Sequence, residues 1–122
     1  MQLHADQTDV QMVTGYGSGW IAVNKQKHSG NILLGASGFL RPWNCSNFES
    51  LTSEHFNELA ELNAELIIFG SGSKIRFVHP SWLQALMQKR IGIETMDTHA
   101  ACRTYNVLAA EGRNVIAALL LE

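Results

Sequence analysis

The chain has 122 residues, with 9 Lys and Arg against 11 Asp and Glu and a formal net charge of −2. That length suits one domain, residues 1–122, with a real hydrophobic core, and the near-neutral charge argues against wholesale binding of phosphate or nucleic acid. A bilayer span needs about 20 consecutive apolar residues, and the longest apolar run, Val115 to Leu121, falls far short.

Residues 1–17 read as a polar start with a brief apolar pulse at Met12 and Val13. The first residues show neither a basic-then-apolar secretory signal nor an Arg-rich transit peptide, so the cytoplasm is the expected compartment. Cys45 and Cys102 do not make a disulfide framework, which fits a reducing environment. Tyr16-Gly17-Ser18-Gly19 is a turn cluster. A short strand is expected from Trp20 to Asn24, a polar loop from Lys25 to Gly30, and a second strand at Ile32-Leu33-Leu34, the two strands pairing as a hairpin. Phe39-Leu40 opens a third strand, which Pro42 ends or confines to an edge.

Thr52 is a good N-cap for the first helix, with Glu54 in its positive first turn. Leu51 and Phe56 flank that cap as a hydrophobic staple, and Phe56, Leu59 and Ala60 make the buried stripe. Leu66 to Phe69 is continuously apolar, as suits a central strand covered on both faces. After the turn at Gly70-Ser71-Gly72, Lys74 to Val78 alternates like a half-exposed strand. Pro80 is placed to start a second helix, with Trp82, Leu83, Leu86 and Met87 facing the core, Lys89 and Arg90 at its negative end and Gly92 as its stop. Ile93 to Met96 is a strand. Asp97 or Thr98 caps a last helix that Gly112 ends, and Val115 to Leu121 is the final strand. The expected fold is α/β: a three-layer single domain with a central mixed β-sheet, helices on its faces and an N-terminal β-hairpin.

Few constellations carry chemistry. Gly70-Ser71-Gly72-Ser73-Lys74 lacks the spacing of a Walker loop, and Ile75 stands where a dinucleotide fingerprint needs its third Gly. A turn requiring positive φ explains the glycines more simply. His99 and Cys102 share a helix face, but a structural zinc needs four ligands, so neither a metal nor a cofactor is expected. Cys102 near a helix start, with His99 as base, could be a nucleophile; a small buried thiol is the stronger reading. On the last helix, Ala101, Thr104, Tyr105 and Leu108 form an inner stripe. Arg103, Asn106, Ala110 and Arg113 then project from the other side, as a solvated face or as a guanidinium and amide set suited to a partner's backbone or carboxylate. Trp43 is the tryptophan expected to be partly exposed, and hence a candidate partner anchor.

Met96-Asp97-Thr98-His99-Ala100-Ala101-Cys102-Arg103-Thr104-Tyr105-Asn106 resembles the small single-domain proteins related to mitochondrial complex I assembly factor 3 and their bacterial and archaeal counterparts. Gly15 to Gly19, Ile32 to Leu34, the Trp43 region, Phe69 to Gly72 and Glu111 to Val115 support the resemblance in order along the chain. It implies a central mixed sheet with helices and a hairpin packed around it. It implies no established enzyme activity. The family's Phe-Gly-Thr-Gly pattern appears here with Ser71 in place of Thr.

The sequence therefore points first to a noncatalytic protein-interaction or assembly/accessory factor. The resemblance implies that Gly70, Ser71, Gly72, Asp97, Thr98, Arg103 and Asn106 line a common surface, to which Cys102 is added as a candidate binding residue, and the expected partner is a protein rather than nucleic acid. The alternative is an anionic-ligand-binding protein or enzyme that uses a cleft near Ser71, Asp97, Thr98 and Cys102, where a helix N-terminus favours negative charge.

Overall fold

The computed structural model describes residues 10–122. The expectation that no signal or transit peptide occupies the N-terminus falls mainly on residues 1–9, outside the described residues.

Three short strands, β1 (Val13–Gly17), β2 (Trp20–Val23) and β3 (Gln26–His28), form an antiparallel meander. Its β2–β3 turn is tight because Asn24 and Lys25 both take positive φ, 49° and 71°, the geometry that matches strand twist in a two-residue hairpin. This turn corrects the expected pairing of Trp20–Asn24 with Ile32–Leu34: β2 returns into β3 instead.

The freed strand, β4 (Ile32–Gly35), enters a five-stranded sheet of order β5-β4-β8-β6-β7. Here β5 is Leu40–Pro42, β6 Leu66–Gly70, β7 Gly92–Met96 and β8 Val115–Leu119. β4 runs antiparallel to β5 and β8, whereas β6 runs parallel to β7 and β8. Pro42 lies on an edge strand, where its missing N–H costs least.

Strand periodicity divides the core. Leu34, Ile68, Ala117 and Leu119 face one side with Ala101, Cys102, Tyr105 and Ala109 of the long helix α3 (Thr98–Ala110). Leu33, Ile67, Phe69 and Ala118 face the other side with Phe56 and Leu59 of α1 (Ser53–Ala60) and Leu86 of α2 (Gln84–Gln88). The interior strands are covered on both faces, so their sequences are apolar without alternation. Thr52 caps α1 as expected, its Oγ1 accepting the Glu54 N–H at 3.3 Å.

Two expectations about α2 are corrected. Met87 is 69% exposed, because the helix is short and only Leu86 on it is buried. Gly92 begins β7, and the helix stops at Arg90, whose φ is 58°. The Arg90 N–H donates to Met87 O and the Ile91 N–H to Leu86 O, the two bonds of a Schellman cap. Gly112, by contrast, ends α3 as expected, with φ 80°.

The meander packs on the α3 side of the sheet, where Val13, Ile21 and Val23 join the core. Asn106 holds it. Its Oδ1 accepts the Val13 N–H at 2.9 Å, and its Nδ2 donates to Val13 O at 2.8 Å. Tyr105 donates its hydroxyl to Gln11 O at 2.6 Å, and Arg103 Nη1 donates to the Tyr16 hydroxyl at 2.8 Å. The helix flank expected to project Asn106 beside Arg103 therefore faces this chain's own first strand at Asn106. Being covered on two sides also widens the buried arc, which takes in Cys102 and Ala109 and leaves Thr104 and Leu108 half-buried.

Asn106→Ala removes both bonds to Val13. Its unfolding free energy in urea is expected to fall by about 2 kcal/mol, with loss of hydrogen-exchange protection at the Val13 amide.

Candidate functional site

The parallel strands β6, β7 and β8 end together, and α3 begins there. One threonine ties the junction. The Thr98 Oγ1 donates to Leu120 O at 2.6 Å and accepts the Gly72 N–H at 2.8 Å, while the Thr98 N–H donates to Gly72 O at 2.8 Å. Gly70 lets the helix come this close: a Cβ there would lie 2.9 Å from Leu119 Cδ2 and 3.0 Å from Thr98 Cα. Gly72 takes φ 106°, the positive φ expected of this turn.

Ser71 is buried beside it. Its Oγ donates to Lys74 O at 2.7 Å and accepts the Arg76 N–H at 2.9 Å. The hydroxyl thus shapes the following segment instead of facing solvent. It also explains why Lys74 to Val78 is no strand, contrary to the alternation: the Arg76 amide bonds Ser71, and no strand pairs with the segment among the described residues.

Above the junction lies a cleft of about 200 Å³. The β1–β2 turn at Gly17, Ser18 and Gly19 forms one wall; Gly72, Ser73, Asp97, His99 and Glu122 line others. His99 holds the turn in place: its Nε2 lies 3.1 Å from Gly17 O, and its ring stacks on Tyr16 at 4.3 Å. Trp20 also lines the cleft, and a Cβ at Gly17 would collide with its indole.

Asp97 is the N-cap, its Oδ1 accepting the Ala100 N–H at 2.9 Å. Together with the Thr98 bond to Gly72, this engages two amides of the first helical turn, leaving fewer donors for an anion. Asp97 brings a carboxylate to the cleft, as does Glu122, which is shared with Arg76 at 3.2 Å, and no Lys or Arg among the described residues lines it. Such charges repel an anionic ligand and attract an amine or a guanidinium.

Of the residues singled out in the sequence, Gly72, Asp97 and Thr98 line the cleft, and Gly70 and Ser71 support it from behind. Cys102, Arg103 and Asn106 lie away from it. Cys102 is buried, and desolvation pushes its thiol up to about 12 despite the neighbouring Arg103. A thiol so placed carries almost no thiolate near neutrality, which removes the basis of a nucleophile reading. Trp43, expected to be partly exposed, is only 3% exposed. The rings of His55, Phe56 and Phe69 meet it edge-on at 6.0 to 6.3 Å, and its backbone N–H donates to Asn31 O at 2.9 Å, drawing the loop inward.

Sequence reasoning did not find Ser18, Ser73, Trp20 or Glu122. The available signal was Gly17 and Trp20 three residues apart, small against large across a tight turn. Among the described residues, no group of three His, Cys, Asp or Glu is placed to hold a metal ion, and no helix is long and apolar enough to cross a membrane.

Residues 13–120 match the family model described as a protein of unknown function (DUF498/DUF598). The chain belongs to this family. It is 39% identical over 80 residues to NADH dehydrogenase [ubiquinone] 1 alpha subcomplex assembly factor 3 of Mus musculus, covering 64% of this chain and 43% of the mouse protein. The chain thus spans less than half the length of that relative. An uncharacterised protein of Rhodobacter capsulatus is 35% identical over 115 residues, covering 88% of this chain and 82% of that protein. A crystal structure of a Bordetella parapertussis protein superposes with a TM-score of 0.87 at 35% identity, covering 93% of this chain and 97% of that one.

Thr98→Val leaves the Gly72 N–H and the Leu120 carbonyl without their buried partner. It is expected to cost about 3 kcal/mol in urea unfolding, with Thr98→Ser recovering most of the loss. The thiols set an alkaline limit. In the unfolded chain they ionise near 9.0, but burial raises Cys45 to about 11 and Cys102 to about 12 in the fold. Protonated thiols therefore favour the folded state, and that contribution declines as pH rises above 9.0 towards the folded values. Urea unfolding as a function of pH should show stability falling above that point, and Cys102→Ala should flatten the fall.

Proposed function

We propose that this chain is a noncatalytic accessory factor that receives a basic side chain of a protein partner in the cleft between the β1–β2 turn and the start of α3. The observation that carries this reading is the disposition of the cleft's polar groups. Thr98 and Ser71 are engaged inside the fold, Cys102 is buried away from the cleft, and the groups left to meet a partner are small hydroxyls, the second oxygen of Asp97 and the Glu122 carboxylate that Arg76 shares. These suit recognition of a Lys or Arg rather than bond-breaking chemistry. The mouse relative is named for assembly of NADH dehydrogenase, and an assembly role for this chain forms part of the same proposal, as does a location in the cytoplasm.

Ser73→Trp tests it by filling the cleft from an exposed position. Quantitative mass spectrometry of affinity-captured complexes should show selective loss of partners, while the melting temperature stays within about 2 °C of the parent. Partners retained at parental levels by the filled cleft defeat the reading.

The cleft's size and partial enclosure support a second reading, a small ligand. Its carboxylates then select an amine over the anionic class expected from the helix N-terminus. A thermal-shift screen separates the two readings, with small amines at millimolar concentration raising the melting temperature of the parent but not of Ser73→Trp.

A further inference from the structure

The connection from β6 to β7 differs in charge from the rest of the molecule. Residues 66–93 hold 4 of the 9 Lys and Arg and none of the 11 Asp and Glu. The same stretch displays Ile75, Phe77 and Met87, which are 48%, 73% and 69% exposed. Phe77 is the most exposed large apolar side chain among the described residues.

This display is built by the fold. Alternation along Lys74 to Val78 is real but inverted: Ile75 and Phe77 point outward, while Arg76 and Val78 are half-buried. Ser71 fixes the backbone through Lys74 O and the Arg76 N–H. The Arg76 side chain is drawn in by Glu49 at 3.3 Å and Glu122 at 3.2 Å and lies 5.5 Å from the centre of the Phe48 ring. Arg76 is thus neutralised and serves as a strut. The exposed charges left on this stretch are Lys74, Lys89 and Arg90, which form no ion pairs among the described residues. Lys89 donates to Ala60 O at 3.2 Å.

We propose that the ridge at Ile75 and Phe77 docks on an anionic lipid surface, its apolar side chains entering the interfacial zone while Lys74 meets the headgroups. Three features favour a bilayer over a protein surface. The apolar groups protrude singly, so a protein would need a matching concave pocket, whereas a fluid interface accommodates a protruding ridge. The unpaired charges of the stretch all have one sign, as attraction to an anionic leaflet requires. Two inserted side chains also give weak, reversible attachment of the kind that needs an electrostatic second signal. Binding is consequently sensitive to salt.

The test is co-sedimentation of the full chain with vesicles of phosphatidylcholine alone and of phosphatidylcholine with phosphatidylglycerol at about 3:1, in low and high salt. The expected result is binding to the anionic vesicles at low salt, reduced by salt and weak on phosphatidylcholine. Ile75→Ser/Phe77→Ser should abolish it. Lys74→Glu should weaken it about fivefold or more. All three positions are exposed, so the melting temperature serves as a control for folding. No sedimentation with anionic vesicles overturns the proposal, as does equal binding to the neutral vesicles. Binding that survives the double substitution overturns it too. So does a double variant that loses a protein partner when the parent never bound lipid.

Discussion

The hydroxyl of Thr98 is the constraint on which the end of the sheet depends. One oxygen joins the turn after β6, the start of α3 and the chain leaving β8. It is buried, so each of its bonds is made where water cannot replace it. Its position requires the helix to approach β6 so closely that Gly70 has no room for a side chain. The cleft above follows from this. Its floor is a fully bonded junction, and its walls are two glycine-containing turns held to fixed distances from that floor.

The same economy of polar groups separates what supports the site from what the site presents. Ser71, Thr98 and Asn106 look functional in a sequence because they are polar in an otherwise apolar context. In the fold each completes backbone hydrogen bonds that an irregular segment leaves open. Asn106 acts as a substitute strand neighbour for Val13. Asp97 is divided between the two tasks, with one carboxylate oxygen capping α3 while the side chain also lines the cleft.

The long elements were legible because their signals are local. Thr52, Asp97 and Gly112 mark helix ends by chemistry that acts within one turn, and the apolar run of β6 shows burial on both faces. The errors lie where long-range contacts decide. Nothing near Ile32 shows that β4 pairs with β8, more than eighty residues on, and Asn24-Lys25 is an unusual pair for a turn with two positive φ angles. Lys74 to Val78 carries a strand's alternation, but a strand also needs a neighbour, and the Ser71 hydroxyl takes the Arg76 amide instead. Met87 obeys helical spacing on a helix too short to bury it. At the site, the glycine turn and the helix start could be read from the chain. The wall that β1 and β2 supply could not, because it depends on Asn106, Tyr105 and Arg103 gripping a segment about ninety residues away.

The place of β8 bears on how the molecule is made. The last strand in chain order among the described residues lies in the middle of the sheet, joining the β4–β5 pair to the β6–β7 pair. Until residues 115–119 emerge, these two halves share no strand, and the apolar edges of β4 and β6 stay open to other chains. The meander is nearly as dependent, because its clasp at Asn106 is also synthesised late. The strands made before β8 must therefore wait, partly assembled, for residues 115–119, and a nascent chain stalled shortly before them would present two unpaired strand edges at once.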